Sequence, residues 1–201
     1  MPDVSFYFDP GCPWTWMTSR WLVATAPRQG SSIVWRSFSL AHVNRDTDVP
    51  EQYRAHMEVG RRAHRVIQAL RDVDDNDAIG RFYEAIGTRL HRNDEPRDLA
   101  VVGAAAVDAG LSDSIASAVD EPSWDAGAAR DTEEAIELAG PDVGSPVLRI
   151  DGAAVFGPII DALPDERDAD RLWDAATTLA DIPSFHELKR GRRGGPDVAK
   201  S

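Results

Sequence analysis

One short stretch constrains this chain more than any other: a predicted strand turns directly into a helix at Cys12, the single cysteine of 201 residues. The apolar run at 4–8 predicts a buried strand, because β-branched and aromatic residues are followed by Asp-Pro-Gly. From Trp14 onward, apolar residues recur at helical spacing until a Pro- and Gly-containing segment at 27–30. Pro13 suits the first helical position, where a backbone N–H has no partner in any case. The pattern therefore puts Cys12 at a helix N-terminus.

Two interpretations of Cys12 follow from that position. A thiolate at a helix N-terminus is stabilised by unpaired N–H groups and by the helix dipole, which predicts a lowered thiol pKa and a reactive nucleophile. The alternative is a buried, inert cysteine, the usual fate of a lone thiol. The flanking turn residues favour the reactive interpretation. Thr15 lies one turn further on and either donates a hydrogen bond to the thiolate or is a solvated first-turn threonine.

The stretch at 8–15 resembles the Cys-Pro-Trp-Cys active site of the DsbA-like thioredoxin-fold family, and further segments resemble its mycothiol-dependent nitroreductase branch. The resemblance implies a cytoplasmic thiol-disulfide oxidoreductase or nitroreductase that uses mycothiol as cosubstrate, with Cys12 as the catalytic nucleophile. Thr15 stands where the family has its second, resolving cysteine, so Cys12 would act alone and a second thiol would release it. The other segments that carry the resemblance are 18–21, 38–41, 49–54, 144–146, 155–158 and 185–190.

The rest of the chain completes the α/β pattern of a thioredoxin-like fold with a large all-helical insertion, as in DsbA-like proteins. A second strand is predicted at 32–40, parallel to the first through a right-handed crossover. A hairpin with a tight turn joins strands at 147–150 and 153–156, and a closing helix covers 165–180.

Between these parts lies a long helical interruption with no linker composition around it. Three amphipathic helices open it, Ser112 and Ser123 look like N-caps of two more, and Gly140-Pro141 ends it. The predicted division is a discontinuous thioredoxin-like domain at 1–49 and 141–190, a helical lid at 50–140 (the insertion), and a Gly-rich, polar tail at 191–201 expected to be disordered.

The resemblance also implies which residues hold the thiol cosubstrate. A cis Pro146 would lie against Cys12 and leave the backbone of Ser145 free to pair with a substrate. Trp14 would form a wall of the site on which an apolar substrate stacks. Three polar residues would surround the sugar of mycothiol when the insertion folds over Cys12, or else they are an ordinary turn, helix-face and helix-end residue. These three are Asn44, Tyr53 and His91.

Composition narrows the function classes. With 22 basic and 34 acidic residues the net charge is −12, which argues against nucleic acid or anionic membrane as partners. Apolar content of 42% suits a soluble protein. The chain starts without a signal-peptide pattern, and one cysteine fits a reducing compartment. No dinucleotide or phosphate-loop fingerprint and no metal-ligand spacing is present. The expected partners are a small thiol and a small electrophilic or disulfide substrate, with a homodimer left open.

Two further functions remain open at this point. A thiol-dependent transferase or isomerase of the kappa or 2-hydroxychromene-2-carboxylate type would activate a bound thiol without forming a protein disulfide. A non-catalytic interaction module would keep only the binding groove. One basic stretch is either a solvated helix face or a site for the carboxylates of glutathione, which neutral mycothiol would not need; it comprises Arg54, Arg61, Arg62, His64 and Arg65.

Overall fold

The computed structural model describes residues 3–201, except the side chain of Lys200, and is built on a four-stranded mixed sheet in the order β2-β1-β3-β4. The first two strands are parallel, and the last two form an antiparallel hairpin that pairs with β1. Both arrangements confirm the prediction from the strand–helix–strand pattern and the Asp-Gly turn. The strands are β1 (Val4–Phe8), β2 (Ile33–Ser37), β3 (Val147–Ile150) and β4 (Ala153–Phe156).

Within residues 3–201, eight α-helices surround the sheet; six of them lie between β2 and β3, and five of these six fall in the predicted insertion at 50–140. No helix within 3–201 is long and apolar enough to cross a membrane. The helices are α1 (Pro13–Thr25), α2 (Leu40–Val43), α3 (Glu51–Asp72), α4 (Asn76–Gly87), α5 (Leu99–Asp108), α6 (Asp113–Ala116), α7 (Asp125–Ala139) and α8 (Glu166–Ala180), with a π-helical turn at Thr88–Arg92 and 3-10 turns at Ser117–Asp120, Pro122–Trp124 and Val198–Lys200.

Several predicted boundaries shift. The second strand ends at Ser37 rather than at residue 40, because Ser39 caps α2 by accepting a hydrogen bond from the backbone N–H of His42. Ser112 does occupy the N-cap position of α6, although its side chain makes no capping bond. Ser123 is not a cap: it lies inside a 3-10 turn, and α7 begins two residues later. Short polar residues in successive turns do not reveal which of them starts the helix.

The insertion shares one hydrophobic core with the sheet. Tyr83 of α4 is fully buried and stacks on Phe8 of β1 with ring centroids 4.0 Å apart. It also meets Trp16 of α1 and Trp35 of β2 edge-on, each at 5.7 Å. Separating the insertion from the sheet as a whole would expose this aromatic cluster, and the division into two domains stays a prediction.

The insertion also covers the outer edge of the sheet. The side-chain amide of Asn76 accepts from the N–H of Trp35 and donates to the carbonyl of Ile33, at 3.0 and 2.9 Å. Asp131 of α7 accepts from the N–H of Ser37 at 3.1 Å. These side chains take the place of a neighbouring strand and close an edge that would otherwise be open to pairing.

The C-terminal segment differs from its predicted disorder. Ser201 is buried, and its hydroxyl oxygen accepts a hydrogen bond from the indole N–H of Trp16 at 2.8 Å. Val198 packs against the core, and the guanidinium of Arg192 lies 4.5 Å above the ring of Trp14. Tertiary contacts with α1 order a segment whose composition alone is typical of disorder.

Candidate active site

Cys12 is the N-cap residue of α1, as the sequence predicts. Its backbone is extended there (φ −90°, ψ 114°), and its carbonyl accepts the first helical hydrogen bond from Trp16 N–H at 3.0 Å. Its own N–H donates to the carbonyl of Asp9 at 3.1 Å, which closes the turn after β1. The residue as a whole is partly exposed to solvent. We call residues 9–12 the Cys12 loop.

Two glycines let α3 of the insertion lie directly on the Cys12 loop. A Cβ added to Gly11 would lie 2.5 Å from the backbone oxygen of His56. One added to Gly60 would lie 2.6 Å from Oδ1 of Asp9. Both distances are far below van der Waals contact, so the close approach requires glycine at both positions. The sequence pattern reveals neither contact, because the partners are more than forty positions apart.

Asp9 organises the loop from within. Its side chain is 1% exposed, and its two carboxylate oxygens accept the N–H groups of Gly11 and Leu40, each at 2.8 Å. Its own N–H donates to the hydroxyl oxygen of Ser145 at 2.9 Å. From the sequence alone, Asp9 is predicted to be only a turn residue. The sequence signal for this role is an Asp two residues before a Gly in a turn. An Asp side chain there accepts a hydrogen bond from the backbone N–H two residues further along the chain.

A chain of hydroxyl groups connects this loop with the sulfur. The Oγ1 of Thr15 lies 2.9 Å from the Oγ of Ser145, which already accepts from Asp9 N–H. Ser145 can therefore donate to Thr15, and Thr15 in turn donates to the Cys12 sulfur. Thr15 is fully buried, so its interpretation as a solvated threonine is wrong. The Ser145–Pro146 peptide bond is cis, as the resemblance implied.

The predicted lowering of the Cys12 pKa is contradicted. Burial raises the pKa of the Cys12 thiol, and the negative charge of Asp9 raises it further. Hydrogen bonds from the Thr15 hydroxyl and from the N–H groups of Thr15 and Trp14 act in the opposite direction without reversing the balance. The sequence reveals the helix terminus at Cys12. It does not reveal the desolvation of the thiol or how close the Asp9 carboxylate lies.

His91 comes to the site but faces away from solvent. Its Nε2–H donates to the carbonyl of Pro10 at 2.8 Å, while Nδ1 is buried and has no hydrogen-bond partner among residues 3–201. Burial lowers the pKa of His91 to about 4, so the ring is neutral near pH 7. In this structure the ring supports the Cys12 loop from the protein side, and its contact with a sugar stays a prediction.

The other predicted pocket residues lie closer to solvent. Tyr53 is half-exposed in the first turn of α3, beside the ring of His56, and no residue within 3–201 hydrogen-bonds its hydroxyl. Asn44 ends α2 and donates its amide to the carbonyl of Leu40 at 2.8 Å. Trp14 is partly exposed and carries the guanidinium of Arg192 on its ring. The hydroxyl of Tyr53 is therefore an unused polar group near solvent.

The basic stretch of α3 is mostly paired within the insertion. Arg61 and Arg65 both bind the carboxylate of Asp125, with shortest distances of 3.1 and 2.6 Å. Arg62 binds Glu58 at 2.9 Å and also Asp120 at 3.0 Å. These arginines hold α3 against the start of α7 and are not free to bind the carboxylates of glutathione. Arg54 is exposed and pairs with carboxylates close to it in sequence, and His64 is buried.

Comparisons with known proteins agree with this geometry. A 2-hydroxychromene-2-carboxylate isomerase superposes with a TM-score of 0.61 at 14% identity, over 88% of this chain and 93% of that structure. A probable DsbA oxidoreductase from Streptomyces coelicolor superposes with a TM-score of 0.57 at 19% identity, over 98% and 97%. At such identities the likeness establishes the fold: the protein has the DsbA-like form of the thioredoxin fold.

Sequence relatives give the family. The model of the Rv2466c-like family, described as mycothiol-dependent nitroreductase Rv2466c, matches residues 11–190. The uncharacterized protein Rv2286c of Mycobacterium tuberculosis is 31% identical over 192 residues, which are 94% of this chain and 82% of that protein. The chain belongs to the Rv2466c-like family.

Proposed function

We propose that the protein is a cytoplasmic, mycothiol-dependent thiol oxidoreductase that works through the single nucleophile Cys12. The observation that carries this proposal is the position of Cys12 as the N-cap of α1, beside the cis Ser145–Pro146 peptide, whose Ser145 hydroxyl bonds both Asp9 and Thr15. The family description adds mycothiol as the thiol and nitro compounds as one substrate class. The buried hydroxyl groups of Ser145 and Thr15 suit a Cys12 thiolate that must be stabilised without a second cysteine.

The reaction would run in two thiol–disulfide exchanges. The Cys12 thiolate attacks the mycothiol sulfur of a mixed disulfide between mycothiol and a substrate thiol, forms a Cys12–mycothiol disulfide, and expels the substrate sulfur as a thiolate. A mycothiol thiolate then attacks the mycothiol sulfur of the Cys12–mycothiol disulfide and releases Cys12. Thr15 cannot perform the second step, because a hydroxyl does not attack a disulfide here. Its part is to donate a hydrogen bond to the Cys12 sulfur whenever that sulfur carries negative charge.

The chain offers suitable groups for mycothiol. A neutral, sugar-linked thiol needs hydrogen-bond partners rather than ion pairs, and the free hydroxyl of Tyr53 is such a partner at the rim. Asn44 and the backbone of Ser145 are further proposed partners. The pairing of Arg61, Arg62 and Arg65 with carboxylates of the insertion favours mycothiol over glutathione, whose carboxylates would need free cations.

The test is intact-mass analysis after treatment with mycothiol disulfide. We expect one mycothiol adduct on the wild-type protein, none on the Cys12→Ser variant, and removal of the adduct by reduced mycothiol. Glutathione disulfide should react much more slowly under the same conditions. A protein that takes up no adduct at Cys12 but adds a thiol to an electrophilic substrate would instead be a transferase or isomerase, and the proposal would be wrong.

The residues proposed to bind mycothiol are tested by the ratio of two reaction rates, one with mycothiol disulfide and one with a small disulfide. Tyr53→Phe and Asn44→Ala should slow the reaction with mycothiol disulfide far more than the reaction with a small disulfide that lacks sugars, because lost hydrogen bonds affect only the first. Equal losses with both disulfides would show that these side chains only support the fold.

A further inference from the structure

Beneath the Cys12 loop, the insertion places a buried histidine against a buried carboxylate. His64 of α3 and Asp9 are each 1% exposed, and Nε2 of the ring lies 3.6 Å from Oδ2 of the carboxylate. This separation is too long for a hydrogen bond, and Nε2 has no other partner among the residues that the structure describes. A polar ring nitrogen in the core therefore faces a negative charge that itself lies under the nucleophile.

The other ring nitrogen is held in a way that suits two protonation states. Nδ1 of His64 lies 3.0 Å from the hydroxyl of Ser37, which also accepts from the side-chain amide of Gln68 at 2.9 Å. Ser37 can donate its proton to Nδ1 of the neutral ring. It can instead use its second lone pair to accept Nδ1–H of the charged ring. The surroundings thus keep a partner for Nδ1 whether or not His64 carries a positive charge.

The charge of His64 bears on Cys12 because both residues interact with the Asp9 carboxylate. The Asp9 carboxylate opposes formation of the Cys12 thiolate. A positive charge on His64 at 3.6 Å would offset that carboxylate in a region where solvent screening is weak, since both groups are buried. Without the positive charge on His64, the full negative field of the Asp9 carboxylate would act on the Cys12 sulfur and oppose formation of the thiolate.

We propose that His64 is a positioning residue of the insertion that controls the Cys12 thiol through Asp9. Protonated His64 compensates the Asp9 carboxylate and permits the thiolate, whereas neutral His64 leaves the thiol protonated. In the coupled step, Cys12–SH and neutral His64 become the Cys12 thiolate and imidazolium, so the sulfur loses one proton and the ring gains one. The proposal rests on the proposed role of Cys12 as nucleophile, and it gives the insertion a part in the chemistry as well as in covering the site.

Other titratable groups surround this pair and must be separated from it. Tyr83 of α4 is buried, which raises its pKa and keeps it neutral. His56 of α3, whose pKa is lowered by burial and by the charge of Arg97, also interacts with Asp9. Behind Ser37 and Gln68 stands Asp131 of α7, which pairs with Arg36 and Arg71. Of these, His56 is the group to control for, because it is a second histidine acting on the same carboxylate.

The first test measures how fast methyl methanethiosulfonate, a small neutral reagent, modifies Cys12 from pH 5 to 9, normalised to a free thiol. For the wild type we expect the logarithm of the rate to rise with pH at a slope below one, over the pH range in which His64 takes up the proton that the sulfur loses. His64→Gln should restore a slope of one and slow the reaction about fivefold or more at the acidic end. His56→Gln is the matched control and should keep the wild-type slope, because burial and the charge of Arg97 lower the pKa of His56 and disfavour its protonation.

A double-mutant cycle tests the path through Asp9. Asp9→Asn should speed modification of Cys12, and adding His64→Gln to it should change nothing further, because without the Asp9 carboxylate nothing holds a positive charge on the buried ring. A slowing by His64→Gln that persists in the Asp9→Asn background would overturn the proposal, as would superimposable profiles of the wild type and His64→Gln.

Because Asp9 also holds the loop, a second measurement leaves it in place. Coupling is reciprocal, so a fixed negative charge at position 12 should make His64 bind its proton more tightly. In NMR titrations, the midpoint of the His64 ring should lie about one pH unit higher in Cys12→Asp than in the isosteric Cys12→Asn. Equal midpoints would contradict the proposal. None of these assays uses mycothiol, so a failed mycothiol adduct with intact coupling would refute the proposed function alone.

Discussion

Acid sensitivity of the fold should depend on His91, which is buried under the Cys12 loop. The folded protein binds a proton at this ring only near pH 4, whereas the unfolded chain does so near pH 6.5. As the pH falls through this window, the unfolded chain binds a proton at His91 and the folded protein does not. The free energy of unfolding therefore decreases on acidification. The full difference corresponds to about 3 kcal/mol, of which about 2 kcal/mol is lost between pH 7 and pH 5.

The structural reason lies at Nδ1. Nε2–H already donates to the carbonyl of Pro10, so protonation would place a second N–H in the core at an atom with no partner in the described chain. A buried N–H without an acceptor costs about 1–3 kcal/mol, in line with the size of the shift. His91→Gln keeps an amide donor for Pro10 but cannot be protonated, so it should remove this part of the pH dependence.

Urea unfolding at pH 7 and pH 5 provides the assay. The loss of unfolding free energy between the two pH values should be about 2 kcal/mol smaller in His91→Gln than in the wild type. His186 is exposed, and His186→Gln should follow the wild type. Identical losses in the wild type and His91→Gln would show that the ring is protonated as easily in the folded protein as in the unfolded chain, and the argument from burial would fail.

The remaining predictions concern close contacts of α1 and α3. Gly60→Ala should destabilise the protein by about 1–3 kcal/mol despite better helix propensity, because the new Cβ meets Asp9; Gly103→Ala, with open space around it, should stabilise it by about 1 kcal/mol in the same urea titration. Thr15→Val should slow alkylation of the active-site thiol at pH 7 about tenfold while Thr15→Ser does not, since a charge-assisted hydrogen bond is lost; similar rates would remove its assigned role. Arg192→Ala should lower the unfolding free energy by about 0.5–1 kcal/mol and Arg193→Ala should not, because Arg192 lies over Trp14; equal effects would argue against that contact.

Local patterns explain why much of the fold was predictable. The strand at 4–8, the helix that starts behind Pro13, the hairpin at 147–156 and the closing helix each carry their own signal in a short window of sequence. The resemblance to one family then supplied the order of the parts and the cis Pro146. Boundaries failed where turn residues compete, as at Ser123, because several of them can begin a helix equally well.

The sequence by itself determined the position of Cys12, since Pro13 and the turn before it place a helix start at that residue whatever packs around it. It could not determine the chemistry of the thiol. That depends on burial and on Asp9, and Asp9 is fixed by contacts with Leu40 and Ser145 and lies against Gly60, all far away in the chain. Helix propensity and capping act over a few residues, whereas desolvation and charge act through space. Only the tertiary structure therefore decided that the thiol pKa is raised.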